Sequence, residues 1–393
     1  MTAEREQADS GWIADALREH DHAQRPEVPD GRPRLPVTDR EQQVLDRIDR
    51  ARARRPRVRE ERITMSHGSG GKATQTLIEA VFLEAFRNPL LEPLEDAAEL
   101  RVGGARLALT TDSYVVSPLF FPGGDIGDLA VNGTVNDLSV AGATPMYLSA
   151  GFILEEGFPV ADLTRIAASM RDAAAAAGVC VVTGDTKVVQ RGKADGCYIN
   201  TAGVGLIDRD SALGVARAQP GDAIIVSGPI GDHGVTIMLA RGELGIEADI
   251  RSDTAPLNGL VAALLYAVPG VRAMRDATRG GVATILNEIA RAAETGVLVR
   301  EADIPVRPEV RGACELLGID PMYVACEGRL VAVVPGDSAD EAVRALRGHP
   351  LGAESAVIGE VTAGPRGLVQ LKTAFGGTRI VDLLVGDPLP RIC

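Results

Sequence analysis

The chain has 393 residues, 45% of them apolar, and a formal net charge of −13. That length allows two domains with cores of their own, and the apolar share is that of a globular protein. The acidic balance disfavours nucleic acid as a partner but leaves room for a nucleotide whose phosphates are met locally. No apolar run approaches the roughly 20 residues that cross a bilayer, and the charged amino terminus lacks an apolar signal core, so neither membrane association nor secretion is expected. The five cysteines, Cys180, Cys197, Cys314, Cys326 and Cys393, are scattered and form no C-x-x-C pair. They point to reduced thiols in a cytoplasm, and away from a disulfide framework or a zinc site.

Residues 1–60 mix Arg, Asp, Glu and Pro with few apolar positions, and seven arginines fall between Arg47 and Arg59. This stretch predicts a charged, partly disordered extension with helical pieces at 10–20 and 39–54, either a solvated tail or a docking arm. From Arg62 the pattern becomes α/β. Apolar runs predict strands at 105–111, 147–154, 179–183 and 198–207. Helical spacing appears at 73–87, 125–142 and 162–177, the last stopped by Gly178. Strong punctuation at Arg217-Ala218-Gln219-Pro220-Gly221-Asp222 opens a second α/β block. Its strands are expected at 223–227, 329–334 and 356–361, and its helices at 234–242, 256–267, 281–294 and 337–347. The expected division is 1–60 extension, 61–213 first domain, 214–375 second domain and 376–393 flexible tail.

The tail ends Pro388-Leu389-Pro390-Arg391-Ile392-Cys393. Proline fixes φ and removes donors, so this stretch cannot become a helix. The terminal thiol is either a group carrier on an extended tether or a frayed end. Near the other end, Ser66-His67-Gly68-Ser69-Gly70-Gly71-Lys72 opens a helix, where backbone N–H groups and a lysine can meet phosphate. It lacks the spacing of a P-loop, and a plain glycine turn is the other reading. Asp112 ends a predicted strand, Asn136 and Asp137 interrupt an apolar helix, Asp185 follows a strand in Gly184-Asp185-Thr186-Lys187, and Asp276 precedes a helix start. Each alone is a turn or N-cap aspartate or a metal ligand. Together with the glycine-rich turn they fit Mg2+ held by oxygens against a nucleotide's phosphates. Glu327 precedes a strongly apolar strand and is either a general base with a raised pKa or a solvated strand-end charge.

From residue 63 to 393 the chain resembles the hydrogenase maturation factor HypE family, within the superfamily of aminoimidazole ribonucleotide synthetase, selenophosphate synthetase and thiamine-monophosphate kinase. The resemblance lies in His67-Gly68-Ser69-Gly70-Gly71-Lys72, Thr111-Asp112-Ser113-Tyr114, Gly151-Phe152-Ile153-Leu154-Glu155-Glu156-Gly157, Gly184-Asp185-Thr186-Lys187-Val188-Val189, Gly231-Asp232-His233-Gly234, Asp276-Ala277-Thr278-Arg279-Gly280-Gly281 and the Pro390-Arg391-Ile392-Cys393 ending. It implies a two-domain α/β (α+β) fold whose amino-terminal domains pair into a dimeric β-barrel, a carboxy-terminal α/β domain and an extended tail. It also implies a cytoplasmic homodimer that binds ATP and Mg2+. A HypF-like carbamoyltransferase would load Cys393, the S-carboxamide would be dehydrated to a thiocyanate, and cyanide would pass to iron on a HypC–HypD complex.

By this resemblance Asp112, Asp137, Asp185 and Asp276 are metal ligands, and Gly68, Gly70, Gly71, Lys72, Asp112, Asn136, Asp137, Gly184 and Asp185 bind the nucleotide. Glu327 is the base, Lys187 stabilises negative charge, His67 takes part, and Cys393 carries the substrate. The family usually has asparagine where this chain has Cys326, and the extension 1–60 lies outside the family pattern. A selenophosphate synthetase would carry a reactive cysteine beside the glycine-rich lysine, whereas the first cysteine here is Cys180. A small-molecule kinase would have no use for Cys393, and an idle docking scaffold would have no need of the aspartates.

Overall fold

The computed structural model describes residues 57–209, 213–242, 245, 248–386 and 391–393. The helical pieces expected at 10–20 and 39–54, and both prolines of the terminal sequence, lie outside the described residues. Two units are distinguished, Met1–Arg59 with Thr76–Leu94, and Glu60–Gln75 with Glu95–Cys393. In the first, the predicted helix 73–87 is realised as α1 (Lys72–Leu77), which begins in the second unit, a π-helical turn Ile78–Phe82 and a last turn Leu83–Phe86. Asn88 then accepts from the backbone N–H groups of Leu90 and Leu91 at 2.9 and 3.1 Å, turning the chain as an Asx residue does.

The second unit holds two mixed sheets. The first has the order β1-β2-β7-β5-β6, with β1 Ala98–Val102, β2 Ala105–Tyr114, β5 Thr144–Glu155, β6 Cys180–Val189 and β7 Cys197–Ile207. Only β5 and β6 run parallel. They are joined through α3 (Val160–Ala177), because parallel neighbours need a crossover. Burial alternates along β7, which shows one face covered and one open.

The second sheet has the order β14-β13-β10-β12-β8-β11-β9, with β9 Ala273–Asp276, β10 Gly296–Arg300 and β12 Ala356–Thr362. Its inner strands β8 (Ala223–Val226) and β11 (Leu330–Val334) are buried on both faces. Ile224, Val226, Val331 and Val333 pack on one side with helix Gly281–Ala292. Ile225, Leu330, Ala332 and Val334 pack on the other with helices Asn258–Ala267 and Ala339–Arg347. The period-2 side-chain alternation thus divides one apolar run between two cores. The edge strand β14 (Thr378–Val381) pairs antiparallel with β13 (Val369–Lys372), so the domain continues beyond the expected boundary at 375.

Helix α2 (Ile126–Val140) lies between the sheets, packing on β2, β7, β5 and β9 (Ala273–Asp276). Every residue of it is buried except Asp128 and Asp137. Asp125 caps it, accepting from the backbone N–H groups of Gly127 and Asp128. A Cβ at Gly133 would stand 2.1 Å from the Tyr114 hydroxyl, so glycine is needed here for close approach. In Gly133→Ala the overpacking cost of about 1–3 kcal/mol outweighs the helix-propensity gain of at most about 1 kcal/mol. The denaturation midpoint of the alanine variant is therefore expected to fall; a midpoint equal to or above that of the parent would refute the packing of Tyr114 on α2.

Candidate active site

The carboxylates converge from separate elements. Asp137 stands on α2, Asp276 ends β9 and Asp96 precedes β1, and their ligand atoms all lie within 4.8 Å of one another. Asp137 and Asp276 are held well above the usual carboxylate range, first by burial and then by the repulsion of their neighbours. Asp96 is raised by burial against the pull of Arg275, with which it forms an ion pair. Arg275 also faces Glu95 at 3.3 Å and Glu288 at 3.8 Å. Thr110, on β2, donates to Asp137 at 2.8 Å. Asp112, which lies within β2 rather than at its end, accepts from the Ser113 N–H at 2.7 Å and faces Arg279 at 3.8 Å. Three close oxygen donors in a buried, mutually repelling group suit a hard divalent cation, which would relieve the repulsion.

Glu327 lies in the loop before β11 and is 3% exposed, and its Oε1 has no geometric hydrogen-bond partner. Its backbone N–H donates to Asp253 at 3.0 Å, and Asn136 donates to its carbonyl at 3.1 Å. Burial, then Asp276, Asp112 and Asp253, push its carboxyl well up. Cys393 is 6% exposed, and its thiol is buried beside Glu327, Asp112 and Arg279. Burial pushes the thiol up, with Glu327 and Asp112 adding to the shift and Arg279 opposing it. The docked sulfur is therefore a neutral thiol.

Residues 391–393 run antiparallel to Val115–Ser117. The Val115 N–H donates to the Cys393 carbonyl oxygen and the Ser117 N–H to that of Arg391, both at 3.2 Å. Further back, Ser69 donates to the Gly386 carbonyl at 3.1 Å and the Lys72 N–H to that of Leu384 at 2.9 Å. A Cβ at Gly71 would stand 2.5 Å from the Leu384 oxygen, so the glycine loop is shaped by close approach of this chain segment. Gly70, at φ 73°, lies against Arg279, whose guanidinium donates to the Gly68 carbonyl at 3.2 Å.

The residues expected from sequence fall into two groups. Asp112, Asn136, Asp137, Asp276, Glu327, Cys393 and the Gly68–Lys72 loop surround one region. Gly184, Asp185 and Lys187 do not join it within one chain. They lie on β6, where the Lys187 ammonium pairs with Asp185 at 2.6 Å. Asp112 is in register with Thr201, Thr201 with Ala150 and Ala150 with Gly184. Three strand spacings separate the two groups by about 14 Å.

His67 is buried, and its Nδ1 accepts from the Thr64 N–H at 3.1 Å, leaving the proton on Nε2, 3.8 Å from Glu60. Asn136 donates to the carbonyls of Ala255 and Glu327 and accepts from the Leu257 N–H, so it positions the Glu327 backbone. Sequence reading missed Asp96, because the polar run Ala98–Val102 did not signal β1. It quoted Arg279 within a motif without giving it a role.

Residues 94–207 match the AIR synthase related protein, N-terminal domain, and residues 219–372 match the corresponding C-terminal domain. The carbamoyl dehydratase HypE of Azotobacter vinelandii is 56% identical, over 84% of this chain and 97% of that protein. The crystal structure of a hydrogenase maturation protein HypE in complex with ATP superposes with a TM-score of 0.71 at 49% identity, over 84% of this chain and all of that one. A HypE–HypF complex gives 0.75 at 47% identity, over 78% of this chain and 99% of the matched chain. With its two AIR synthase related domains and close identity along nearly the whole length of such proteins, the chain belongs to the HypE family of carbamoyl dehydratases.

Proposed function

We infer that the protein is an ATP-dependent carbamoyl dehydratase whose substrate is the S-carboxamide on its own Cys393, and that the thiocyanate it forms supplies the cyanide ligand of [NiFe] hydrogenase iron. The observation that carries this is the tail thiol docked and buried beside a buried glutamate and a carboxylate cluster. A carboxamide oxygen is a poor leaving group. Transfer of the γ-phosphoryl group of ATP to it makes a phosphate that can depart, and loss of both nitrogen protons completes the carbon–nitrogen triple bond. Glu327 stands where a proton acceptor is needed, and its raised pKa makes it a stronger base than an exposed carboxylate. Arg279 offers positive charge between Asp112 and the tail.

Asp96, Asp137 and Asp276 would hold Mg2+, with Asp112 beside them; bound there, the ion neutralises charge on the phosphates. The Gly68–Lys72 loop, with its glycine amides and lysine, is the nucleotide's phosphate contact in this reading. His67, whose Nδ1 is engaged by Thr64, supports that loop.

The docked thiol is buried and neutral, so loading by a HypF-like carbamoyltransferase takes place with the tail withdrawn, where a thiolate can form. Cyanide transfer to a HypC–HypD complex in the cytoplasm requires a second withdrawal. We further propose a homodimer in which the amino-terminal sheets close a β-barrel. Its support is β6, exposed along nearly its whole length, with Val181, Val182 and Val188 uncovered beside Ile153 of β5. A long apolar edge calls for a partner. In the dimer Gly184, Asp185 and Lys187 act at the interface between copies, Asp185 toward the metal and Lys187 toward developing negative charge.

Three outcomes test this reading. Intact-protein mass spectrometry after incubation with the carbamoyltransferase, carbamoyl phosphate and ATP is expected to show the carbamoyl mass on Cys393, then loss of one water. Glu327→Gln slows the second step by about 10²- to 10⁴-fold with ATP still bound, and a chain that never gains the carbamoyl mass ends the proposal.

The second outcome concerns pH. Carboxyls with raised folded pKa values bind protons more readily in the folded than in the unfolded state, so the metal-free protein loses stability as pH rises from about 4 toward 7, where Glu288 titrates. Added Mg2+ is expected to restore it, more at pH 7.5 than at pH 5. Asp137→Asn raises the metal-free midpoint at pH 7.5 and shrinks the Mg2+ gain; equal gains in both proteins would remove Asp137 from the metal site. Third, Val182→Lys is expected to yield monomers by sedimentation, and a surviving dimer would place the interface elsewhere.

A further inference from the structure

The docked tail is held by its main chain, and the central contact comes from a residue with no part in the scheme above. His233 lies in helix α4 (Asp232–Ala240) and is fully buried. Its Nε2 is 2.9 Å from the Ile392 carbonyl oxygen, and its Nδ1 is 2.7 Å from the Ser252 hydroxyl. A carbonyl only accepts, so the proton is on Nε2, and Nδ1 accepts from Ser252. Phe121 meets the ring edge-on, with centroids 5.6 Å apart. Burial lowers the imidazole to about 4, which keeps it neutral. Ser252 and Phe121 thus hold the ring without help from the tail, which leaves Nε2–H for the Ile392 carbonyl.

Its neighbours complete the grip. Arg241, at the carboxyl end of the same helix, donates to the Arg391 carbonyl at 2.9 Å and to that of Ser117 at 2.9 Å. With Val115 and Ser117 on the opposite side, every carbonyl from Arg391 to Cys393 accepts a hydrogen bond. Ile392 is 3% exposed, packed in the core cluster with Ile237 and Ala325. Arg391, ion-paired with Asp195, takes a left-handed φ of 57°, a conformation that persists only when its surroundings over-determine it.

We propose that His233 is the positioning residue of the reaction: its Nε2–H, donated to the Ile392 carbonyl, sets the register that delivers the Cys393 sulfur to Glu327. This rests on Cys393 carrying the substrate, but its test needs neither carbamoyl group nor ATP. N-ethylmaleimide labelling of the full chain, resolved cysteine by cysteine by peptide mass spectrometry, reads the docked fraction, with labelling in denaturant as the ceiling. His233→Phe keeps an aromatic ring and loses the donor; His233→Gln keeps an N–H near the position of Nε2. Labelling of Cys393 is expected to rise about tenfold in the Phe variant and to stay near the parent's rate in the Gln variant, while buried Cys197 and Cys314 remain protected in both. Unchanged Cys393 labelling in His233→Phe would overturn the proposal, as would Cys197 and Cys314 opening together with Cys393. Cys393 labelled at the denatured rate in the parent would instead sink tail docking itself.

Discussion

Carboxylates do not gather in a protein interior without a counterweight, and this fold gathers Asp96, Asp137, Asp276, Asp112 and Glu327 around one region. Each comes from a different element, so the repulsion bears on the packing of α2, β2, β9 and the loop before β11 at once. Arg275 and Arg279 offset part of it, one behind Asp96 and one in front of Asp112. The remainder is a standing demand for cations and protons. A divalent cation bound there would relieve repulsion already present, so part of its affinity would be built in before it arrives.

The same low-dielectric environment decides what the terminal cysteine does. A thiolate would face Glu327 and Asp112 with only Arg279 in its favour, so the docked sulfur stays protonated. A nucleophilic role inside the pocket is thereby disfavoured, whereas a neutral thioester-like carbamoyl group suffers no such penalty. Such a neutral group would dock there more readily than a thiolate. Because the tail is tethered, its docking is intramolecular and the effective concentration is high, on the order of millimolar. Docking must therefore be held by modest contacts if a partner is to draw the tail out. Backbone hydrogen bonds, each worth about 0.5–1.5 kcal/mol, and one buried isoleucine supply a grip of that kind.

The sequence showed the apolar elements best. Strands such as 223–226 and 330–334 and the helix ending at Gly178 follow directly from apolar runs and a helix stop. The polar strand Ala98–Val102 was not visible, nor were the short strand Val369–Lys372 and the edge strand Thr378–Val381. With β1 went Asp96, since no feature marked its turn as leading anywhere. Asp137 was legible for a physical reason, namely a carboxylate inside an otherwise apolar helix. Asp185 and Lys187 carried a persuasive motif, yet β6 holds them three strands from Asp112. Spacing along a chain carries no information about which edge of a sheet will meet a second copy. His233 was quoted only as part of a motif, because its meaning depends on a tail 159 residues away.

Cys326 shows how local geometry settles a question that residue identity leaves open. Glu327 faces the tail, while Cys326, fully buried in the second domain's core, accepts from the Gly231 N–H at 3.2 Å. The Glu327 backbone is held by Asp253 and Asn136, and a side chain at 326 is directed away from its carboxyl, toward Gly231. What the cysteine touches is the turn Gly231-Asp232-His233, whose histidine holds the Ile392 carbonyl. One loop thus carries Glu327 toward the tail and, through Cys326, touches the turn that presents His233 to it.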